Sequence, residues 1–177
     1  MTEFVTDLQA IKARARKAME QGAVTDTYKA DTQVVVKVLN QILATELVCV
    51  LRYRRHYYMA AGLSSESVKQ EFRQHADEEQ QHADWVATRI IQLNGEPDFN
   101  PEGLASRSHS EYGQGDNNLL AMIKEDLFAE RIAIETYTEI VRWLGDKDPT
   151  TRRGVEDILK VEEEHAEDLK TLLQRTS

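Results

Sequence analysis

The spacing of apolar residues along the chain predicts an almost entirely helical protein. Four long segments place apolar side chains at intervals of three and four residues, which is the period of an α-helix. They cover about residues 31–61, 64–93, 116–145 and 148–173. No segment alternates convincingly between apolar and polar residues, so we expect no β-sheet. The predicted fold class is therefore all-α.

Local signals mark the ends of these helices. Asp31 is the predicted N-cap of the first helix, and Gly62 ends it. The second is predicted to start at Ser64 or Ser65 and to end before Asn94-Gly95. The third is predicted to begin near Asp116 and to end at Gly145. Before the fourth, Asp148-Pro149 combines a capping residue with proline at the first helical position.

The lengths of the connections predict the topology. The connections at residues 62–64 and 145–148 are short, so each joins two antiparallel helices. The middle connection has about twenty residues, and at about 3.3 Å per residue it can run the full length of a helix. We therefore predict a four-helix bundle with one long crossover between helices two and three.

Residues 1–30 are predicted to form a helical extension, followed by the bundle over residues 31–177. A helical pattern runs from Asp7 to Glu20 and is locally basic between Lys12 and Lys17. This basic stretch can contact DNA, but neighbouring acidic residues dilute it. A solvated face or a subunit contact is the preferred interpretation.

Two Glu-x-x-His motifs are the main candidates for chemistry. Glu79 and His82 lie on the second helix, and Glu162 and His165 lie on the fourth. Residues three apart share one face of a helix, so each pair can present a carboxylate and an imidazole to one metal ion.

The spacing of two further glutamates strengthens this hypothesis. Glu46 precedes Glu79 by 33 residues, and Glu130 precedes Glu162 by 32. The midpoints of both intervals fall in the two predicted short turns. Folding each hairpin about its turn therefore brings each glutamate level with its motif. The two halves look like a duplicated hairpin that supplies Glu, then Glu-x-x-His.

All six candidate ligands lie within the apolar stripes of their helices. An unpaired carboxylate at such a position costs several kcal/mol, so a metal site explains four of them better than ordinary surface acids do. We expect Glu79 and Glu162 to bridge two metal ions. Glu46 and His82 would complete one ion, and Glu130 and His165 the other. This ligand set suits two iron or manganese ions, and zinc can also bind.

Composition and charge agree with a cation-binding protein. The chain has 31 acidic and 22 basic residues, a net charge of −9, which argues against nucleic-acid binding as the main role. Its one cysteine, Cys49, excludes an internal disulfide framework and a four-cysteine metal site. No apolar run approaches the roughly 18 residues of a membrane span. The N-terminus lacks a secretory signal pattern, so we expect a cytoplasmic protein with no membrane partner.

Several motifs of this chain resemble the ferritin-like superfamily, specifically bacterioferritins and their smaller relatives. The resemblance covers about residues 31–173 and includes all six candidate ligands. Its motifs are residues 39–48 with Glu46, residues 77–84, 93–97 and 128–131, and Glu162-Glu163-Glu164-His165. It implies a ferritin-like bundle in which two Fe ions per subunit are bound and Tyr53 lies beside the ligands. It also implies ferroxidase activity: Fe(II) is oxidised by O2 or H2O2 and stored as ferric mineral in a protein shell.

The chain departs from this family pattern in features that bear on haem and shell size. Gln80 occupies the position of the family's haem-ligating Met, so haem is less expected, although Met59 can be considered as a substitute. Only twelve residues follow His165, too few for the fifth helix of the 24-subunit shells. Together with the N-terminal helix, this favours a homo-oligomer of twelve subunits.

Two other functions stay open from the sequence. The first is a non-storing di-iron or di-manganese peroxidase or oxidase, and the second is a DNA-protecting mini-ferritin shell. Among the residues around the site, His75 is interpreted as a core histidine rather than a third imidazole, and Cys49 as a small buried side chain. Tyr137 is interpreted as bundle packing.

Overall fold

The computed structural model describes residues 5–62, 65–113, 115–116 and 118–176, excluding the side chain of Thr176. Within these ranges the chain is all-helical and contains no strand, as predicted. The six helices are α1 (Leu8–Lys17), α2 (Thr32–Met59), α3 (Ser65–Gln92), α4 (Leu104–Arg107), α5 (Leu119–Leu144) and α6 (Pro149–Thr176).

Most of the predicted helix ends are observed. The Asp31 side chain caps α2 by accepting from the amides of Gln33 and Val34, at 2.9 and 3.3 Å. Asp148 accepts from the Thr151 amide at 2.9 Å at the start of α6. Gly62 and Gly145 both have positive φ, which an L side chain rarely adopts. Ser64, one of the two predicted starts of the second bundle helix, lies outside the described residues.

Several helix ends differ from the prediction, and one short helix is additional. Helix α5 begins at Leu119 rather than near Asp116, because the Asn118 side chain accepts from the Ala121 amide at 2.8 Å and caps the helix there. The N-terminal helix is shorter than predicted and ends at Lys17. The crossover also contains the short helix α4, which the spacing of apolar residues did not predict.

The topology is the predicted bundle with one crossover. Helices α2 and α3 pack as one hairpin, and α5 and α6 pack as the other. The crossover follows α2 from its first half towards its C-terminal end. Asn40 contacts Glu96 and Asp98 through hydrogen bonds of 3.1 and 2.7 Å, and Arg52 donates to Ser110 at 3.1 Å. Helix α5 therefore starts at the end of the bundle where α2 finishes.

The core consists of two apolar clusters separated by a polar layer. The first cluster includes Leu39, Ile42, Val86, Ile90, Leu144 and Val155. The second includes Phe72, Ala76, Met122, Ile123, Leu169 and Leu172. On each long helix, the candidate ligands singled out from the sequence lie between these two clusters.

A buried ion-pair network joins α2 to α5. The pattern of apolar residues did not predict it. Arg52 and Asp126 are both fully buried and pair at 2.9 Å. Asp126 also contacts Nδ1 of His56 at 2.8 Å. Asp126 lies on the buried face of α5, whereas the apolar residues Leu127 and Ile134 are only partly buried.

The N-terminal extension is attached to the bundle by the segment after α1. Helix α1 itself has no buried residue. Tyr28, which follows it, donates to Asp148 Oδ2 at 2.6 Å. The residues from Val24 to Ala30 also place apolar side chains against the first core cluster.

Helix α2 is long and apolar enough to pass a length-and-hydropathy test for a membrane span. The tested window has a mean hydropathy of 1.9, and 56% of it is buried inside the protein. Core helices of soluble proteins pass the same test, so this single helix is weak support for a membrane span.

Candidate metal centre

The polar layer brings together all six side chains predicted as ligands. Each long helix contributes one glutamate, and α3 and α6 each add a histidine one turn later. The four glutamates are 1% exposed, and the histidines are nearly as buried. His82, at 9%, is the most exposed of the six and marks the edge of the layer that is closest to solvent.

The ligand atoms fall into two overlapping groups. One group contains Glu46, Glu79, His82 and Glu162, and the other contains Glu79, Glu130, Glu162 and His165. Within each group the candidate atoms lie within 4.8 Å of one another. Glu79 and Glu162 belong to both groups, as expected for bridging carboxylates. The geometry thus matches the predicted pairing, while metal binding by these residues stays a prediction.

Both histidines aim one ring nitrogen at the carboxylates. Nδ1 of His82 lies 3.3 Å from Glu46, 3.4 Å from Glu79 and 3.2 Å from Glu162. Nδ1 of His165 lies 3.4 Å from Glu162 and 3.6 Å from Glu79. These separations are typical of neighbouring ligands on one metal ion.

Glu78 orients His165 from outside the layer. Its Oε2 lies 2.7 Å from Nε2 of His165, so this nitrogen carries a proton and donates it to the carboxylate. When a metal ion replaces the second proton of the ring, the lone pair on Nδ1 faces the four glutamates. Such a carboxylate partner behind a histidine is common at metal sites. Glu78 directly precedes Glu79 in the chain, but no spacing signal marked it as a partner of His165.

Two tyrosines hold the terminal carboxylates across the bundle. The hydroxyl of Tyr53 on α2 donates to Glu130 on α5, and that of Tyr137 on α5 donates to Glu46 on α2. Tyr53 thus lies beside the ligands, where the resemblance implied it. The interpretation of Tyr137 as packing alone was incomplete. Each tyrosine follows a candidate glutamate by seven residues, and this repeated spacing was the signal that could have found both.

The buried atoms of this layer fit bound cations. Both oxygens of Glu79, both of Glu162, one of Glu130 and Nδ1 of His165 are buried without a hydrogen-bond partner. Buried polar atoms are normally satisfied, and an unpaired buried charge is costly. Two divalent cations would coordinate these atoms and neutralise four carboxylates.

The pKa values show how the layer is held without metal. Burial, assisted by the neighbouring Glu79, raises the pKa of Glu46 to about 8. Burial disfavours the charged imidazole of His165, but the nearby carboxylates of Glu162 and Glu79 outweigh it and raise the pKa of His165 to about 12. The same balance strongly raises the pKa of His82. Protons therefore supply the positive charge that cations would otherwise provide.

His75 and Cys49 both lie beside the layer. The ring of His75 is fully buried and stacks on that of His165, with 3.9 Å between ring centroids. Cys49 is buried and accepts a hydrogen bond of 3.2 Å from Arg52. Burial raises the pKa of Cys49, so the thiol stays protonated. This agrees with a packing role for Cys49.

The chain is similar in sequence to one protein family and to two characterised proteins. Residues 36–177 match the family model described as ferritin-like domain. The chain is 28% identical to the DNA protection during starvation protein of Pyrococcus furiosus, over 76% of this chain and 74% of that protein. It is 26% identical to a bacterioferritin of Rhodobacter capsulatus, over 81% and 84% of the two chains.

A solved structure shares the fold at higher identity. It is a dodecameric thioferritin, the bacterioferritin-related protein of Bacteroides fragilis. The TM-score is 0.80 and the identity 31%, with 84% of this chain and 89% of that chain covered.

The tyrosine pair yields a first prediction. Tyr53→Phe and Tyr137→Phe each remove the donor that holds a terminal carboxylate. We expect each to weaken Zn²⁺ binding about 10- to 100-fold, measured by isothermal titration calorimetry. Tyr58→Phe, on an exposed residue of α2, is the matched control and should bind like the unaltered protein. Unchanged affinity in both buried variants would contradict a role for these hydroxyls in the site.

The pKa shifts predict how pH changes the stability of the metal-free protein. The pKa of Glu46 is raised from 4.5 to about 8, and the pKa of His165 is raised from 6.5 to about 12. Groups with a raised folded-state pKa stabilise the fold below their unfolded pKa and lose that effect as pH rises. The melting temperature should therefore fall from about pH 5 to about pH 8, with the free energy of unfolding dropping by on the order of 1 kcal/mol per pH unit.

Two comparisons make this pH prediction specific. Bound Zn²⁺ should flatten the pH dependence because it replaces the protons, and Glu46→Gln should reduce the slope because the group no longer titrates. Thermal melts followed by circular dichroism measure both effects. A metal-free protein that becomes more stable across this pH range would disprove the proposed charge balance.

Proposed function

Because this chain belongs to the ferritin-like family, we propose that it is a ferroxidase that oxidises Fe(II) and stores the ferric product in an oligomeric shell. The family supports an iron-storage or DNA-protection type of function. So do its relatives, the bacterioferritin and the DNA protection during starvation protein (Dps) named above. The observation that carries the choice of ferroxidase is the buried layer of four carboxylates and two imidazoles, complete within one chain.

The layer can hold two Fe(II) ions as substrate. Glu79 and Glu162 are shared by both ligand groups and would bridge the ions. Glu46 with His82 would complete one site, and Glu130 with His165 the other. Carboxylate oxygens with some imidazole nitrogen suit Fe(II), although Mn²⁺ and Zn²⁺ can occupy the same ligands. Four carboxylates balance the charge of two divalent ions.

Oxidation of the paired ions balances with either oxidant. Two Fe(II) ions lose one electron each, and the two electrons with two protons convert O2 into H2O2, or H2O2 into two water molecules. The protein keeps the ligands in place during this change. Tyr53 and Tyr137 hold the terminal carboxylates, and Glu78 holds His165 in the tautomer that binds metal.

The proposed shell has twelve subunits, and contacts between them would cover apolar side chains that are exposed on the single chain. The Bacteroides fragilis protein with the same fold is dodecameric. Several large apolar side chains of this chain are exposed on the long helices, and such residues commonly mark protein contacts when they cluster. They are Leu51, Tyr58, Ile91, Phe128 and Trp143.

The two other functions have weaker support. A non-storing peroxidase or oxidase would use the same ligands, but the named relatives of this chain are bacterioferritins and Dps proteins. Support for a DNA-protection function comes from the name of the Pyrococcus furiosus relative and from the exposed basic residues of α1. The net charge of −9 opposes binding to a polyanion.

The bridging glutamate Glu162 tests the ferroxidase proposal. Glu162→Gln keeps the side-chain volume but removes the charge shared by the two ligand groups. We expect the initial rate of aerobic Fe(II) oxidation to fall at least about 100-fold, because losing a ligand exceeds the effect of losing its hydrogen-bond partner. Glu163→Gln changes the neighbouring exposed residue and should oxidise iron at the original rate. Equal rates in the two variants, both helical by circular dichroism, would disprove the assignment.

Storage is tested by titrating metal-free protein with Fe(II) in air and then sizing it with iron detection. We expect oxidised iron well beyond the two ions of the buried layer to stay soluble and to elute with a large assembly. If uptake stops at about two ions per chain in a monomer or dimer, storage is disproved and a non-storing di-metal enzyme is favoured.

A further inference from the structure

A second cluster of possible ligands lies beside the six-residue layer. It contains Glu71 and His75 on α3 and Asp168 on α6. Nε2 of His75 lies 3.9 Å from Glu71 Oε2 and 3.8 Å from Asp168 Oδ2. The side chains of Glu71 and Asp168 are 36% and 54% exposed, whereas His75 is 0% exposed. The cluster therefore connects solvent to a buried imidazole.

The protonation of His75 follows from its other nitrogen. The hydroxyl of Tyr53 donates to Glu130, so its oxygen can only accept from Nδ1 of His75, 3.2 Å away. Nδ1 therefore carries the proton of the neutral ring, and Nε2 carries the lone pair. Nε2 is buried and has no hydrogen-bond partner.

A cation explains this arrangement better than hydrogen bonding does. A lone pair on Nε2 cannot bond to the carboxylates of Glu71 and Asp168, and 3.8–3.9 Å is too long for a hydrogen bond in any case. Two ligands about 2.1 Å from one ion lie between about 3 and 4.2 Å apart. The observed distances fall in that range. Burial, together with repulsion by Asp168 and Glu78, raises the pKa of Glu71.

We propose that Glu71, His75 and Asp168 form a third divalent-cation site, separate from the six-residue layer and more open to solvent. One imidazole nitrogen and two carboxylate oxygens suit Fe²⁺, Mn²⁺ or Zn²⁺. Three protein ligands leave positions for water, so binding is expected to be exchangeable. Glu78 does not compete for this ion, because its Oε2 accepts from His165.

The third site is coupled to the buried layer through two side chains. The ring of His75 stacks on His165, and its Nδ1 bonds to Tyr53, which holds Glu130. A cation on Nε2 is therefore linked through the His75 ring to His165, and through His75 and Tyr53 to Glu130. On the premise of the proposed function, this site receives Fe(II) from solvent before the ion enters the layer.

Zinc binding tests the site independently of iron chemistry. Full-length protein is dialysed against Zn²⁺ and the bound metal is counted per chain. Asp168→Asn and Glu71→Gln should each bind one Zn²⁺ fewer than the unaltered protein, and the double variant should lose no more than either single one. The matched control is Asp157→Asn, which makes the same change at an exposed residue of α6. Zinc counts equal to that control in both single variants would overturn the site.

Diffraction at the zinc absorption edge locates the ion. The unaltered protein should show an anomalous peak at Nε2 of His75, and the peak should be absent in Asp168→Asn. Peaks confined to the six-residue layer overturn the third site and leave the proposed function intact. A peak at His75 without any in the layer supports the third site and contradicts the proposed function.

Iron kinetics test delivery to the buried layer. Asp168→Asn should oxidise Fe(II) more slowly than Asp157→Asn from the first addition onward, because the first ions also pass through the third site before they enter the layer. Equal rates at every iron load would overturn the delivery role. The zinc measurements decide separately whether the cation site exists.

Discussion

The structure depends on the cost of burying four carboxylates in the middle of an apolar bundle. Apolar clusters pack on both sides of Glu46, Glu79, Glu130 and Glu162, so water cannot screen their mutual repulsion. Two buried histidines and two tyrosine hydroxyls offset part of this cost, yet five carboxylate oxygens stay without a hydrogen-bond partner. Cations or protons must supply the remaining compensation. Metal binding, proton uptake and fold stability are therefore linked at one layer.

The two hairpins make this layer nearly symmetric, with one chemical difference. Tyr53 and Tyr137 exchange partners across the bundle, each holding the glutamate of the opposite hairpin. The histidines differ, because His165 donates to Glu78 and stacks on His75, while His82 lies at the solvent edge. The half of the layer around His165 is thus better fixed, and His82 in the other half is the more exposed of the two histidines.

Much of the fold and the site could be predicted because their signals are local or periodic. The nearly equal spacings from Glu46 to Glu79 and from Glu130 to Glu162 predicted which residues share a level, and the bundle brings them together. The cap of α5 was misplaced because Asp116 and Asn118 are both good capping residues. The pairing of Arg52 with Asp126 could not be predicted, since a helical period does not reveal which distant side chain a buried charge meets.

That unpredicted ion pair also explains how the layer is kept in register. Arg52 binds Asp126, and the next residue, Tyr53, binds Glu130 one helical turn later on α5. The two contacts therefore act as consecutive cross-links between α2 and α5, helices from different hairpins. Tyr137 and Glu46 add a third cross-link on the other side of the layer.

Arg52 also donates to Ser110 and Glu111, so the end of the crossover is anchored at the same height. Because the short turns align residues only within each hairpin, the contacts between α2 and α5, together with the one between Glu78 and His165, align the two hairpins at the level of the layer.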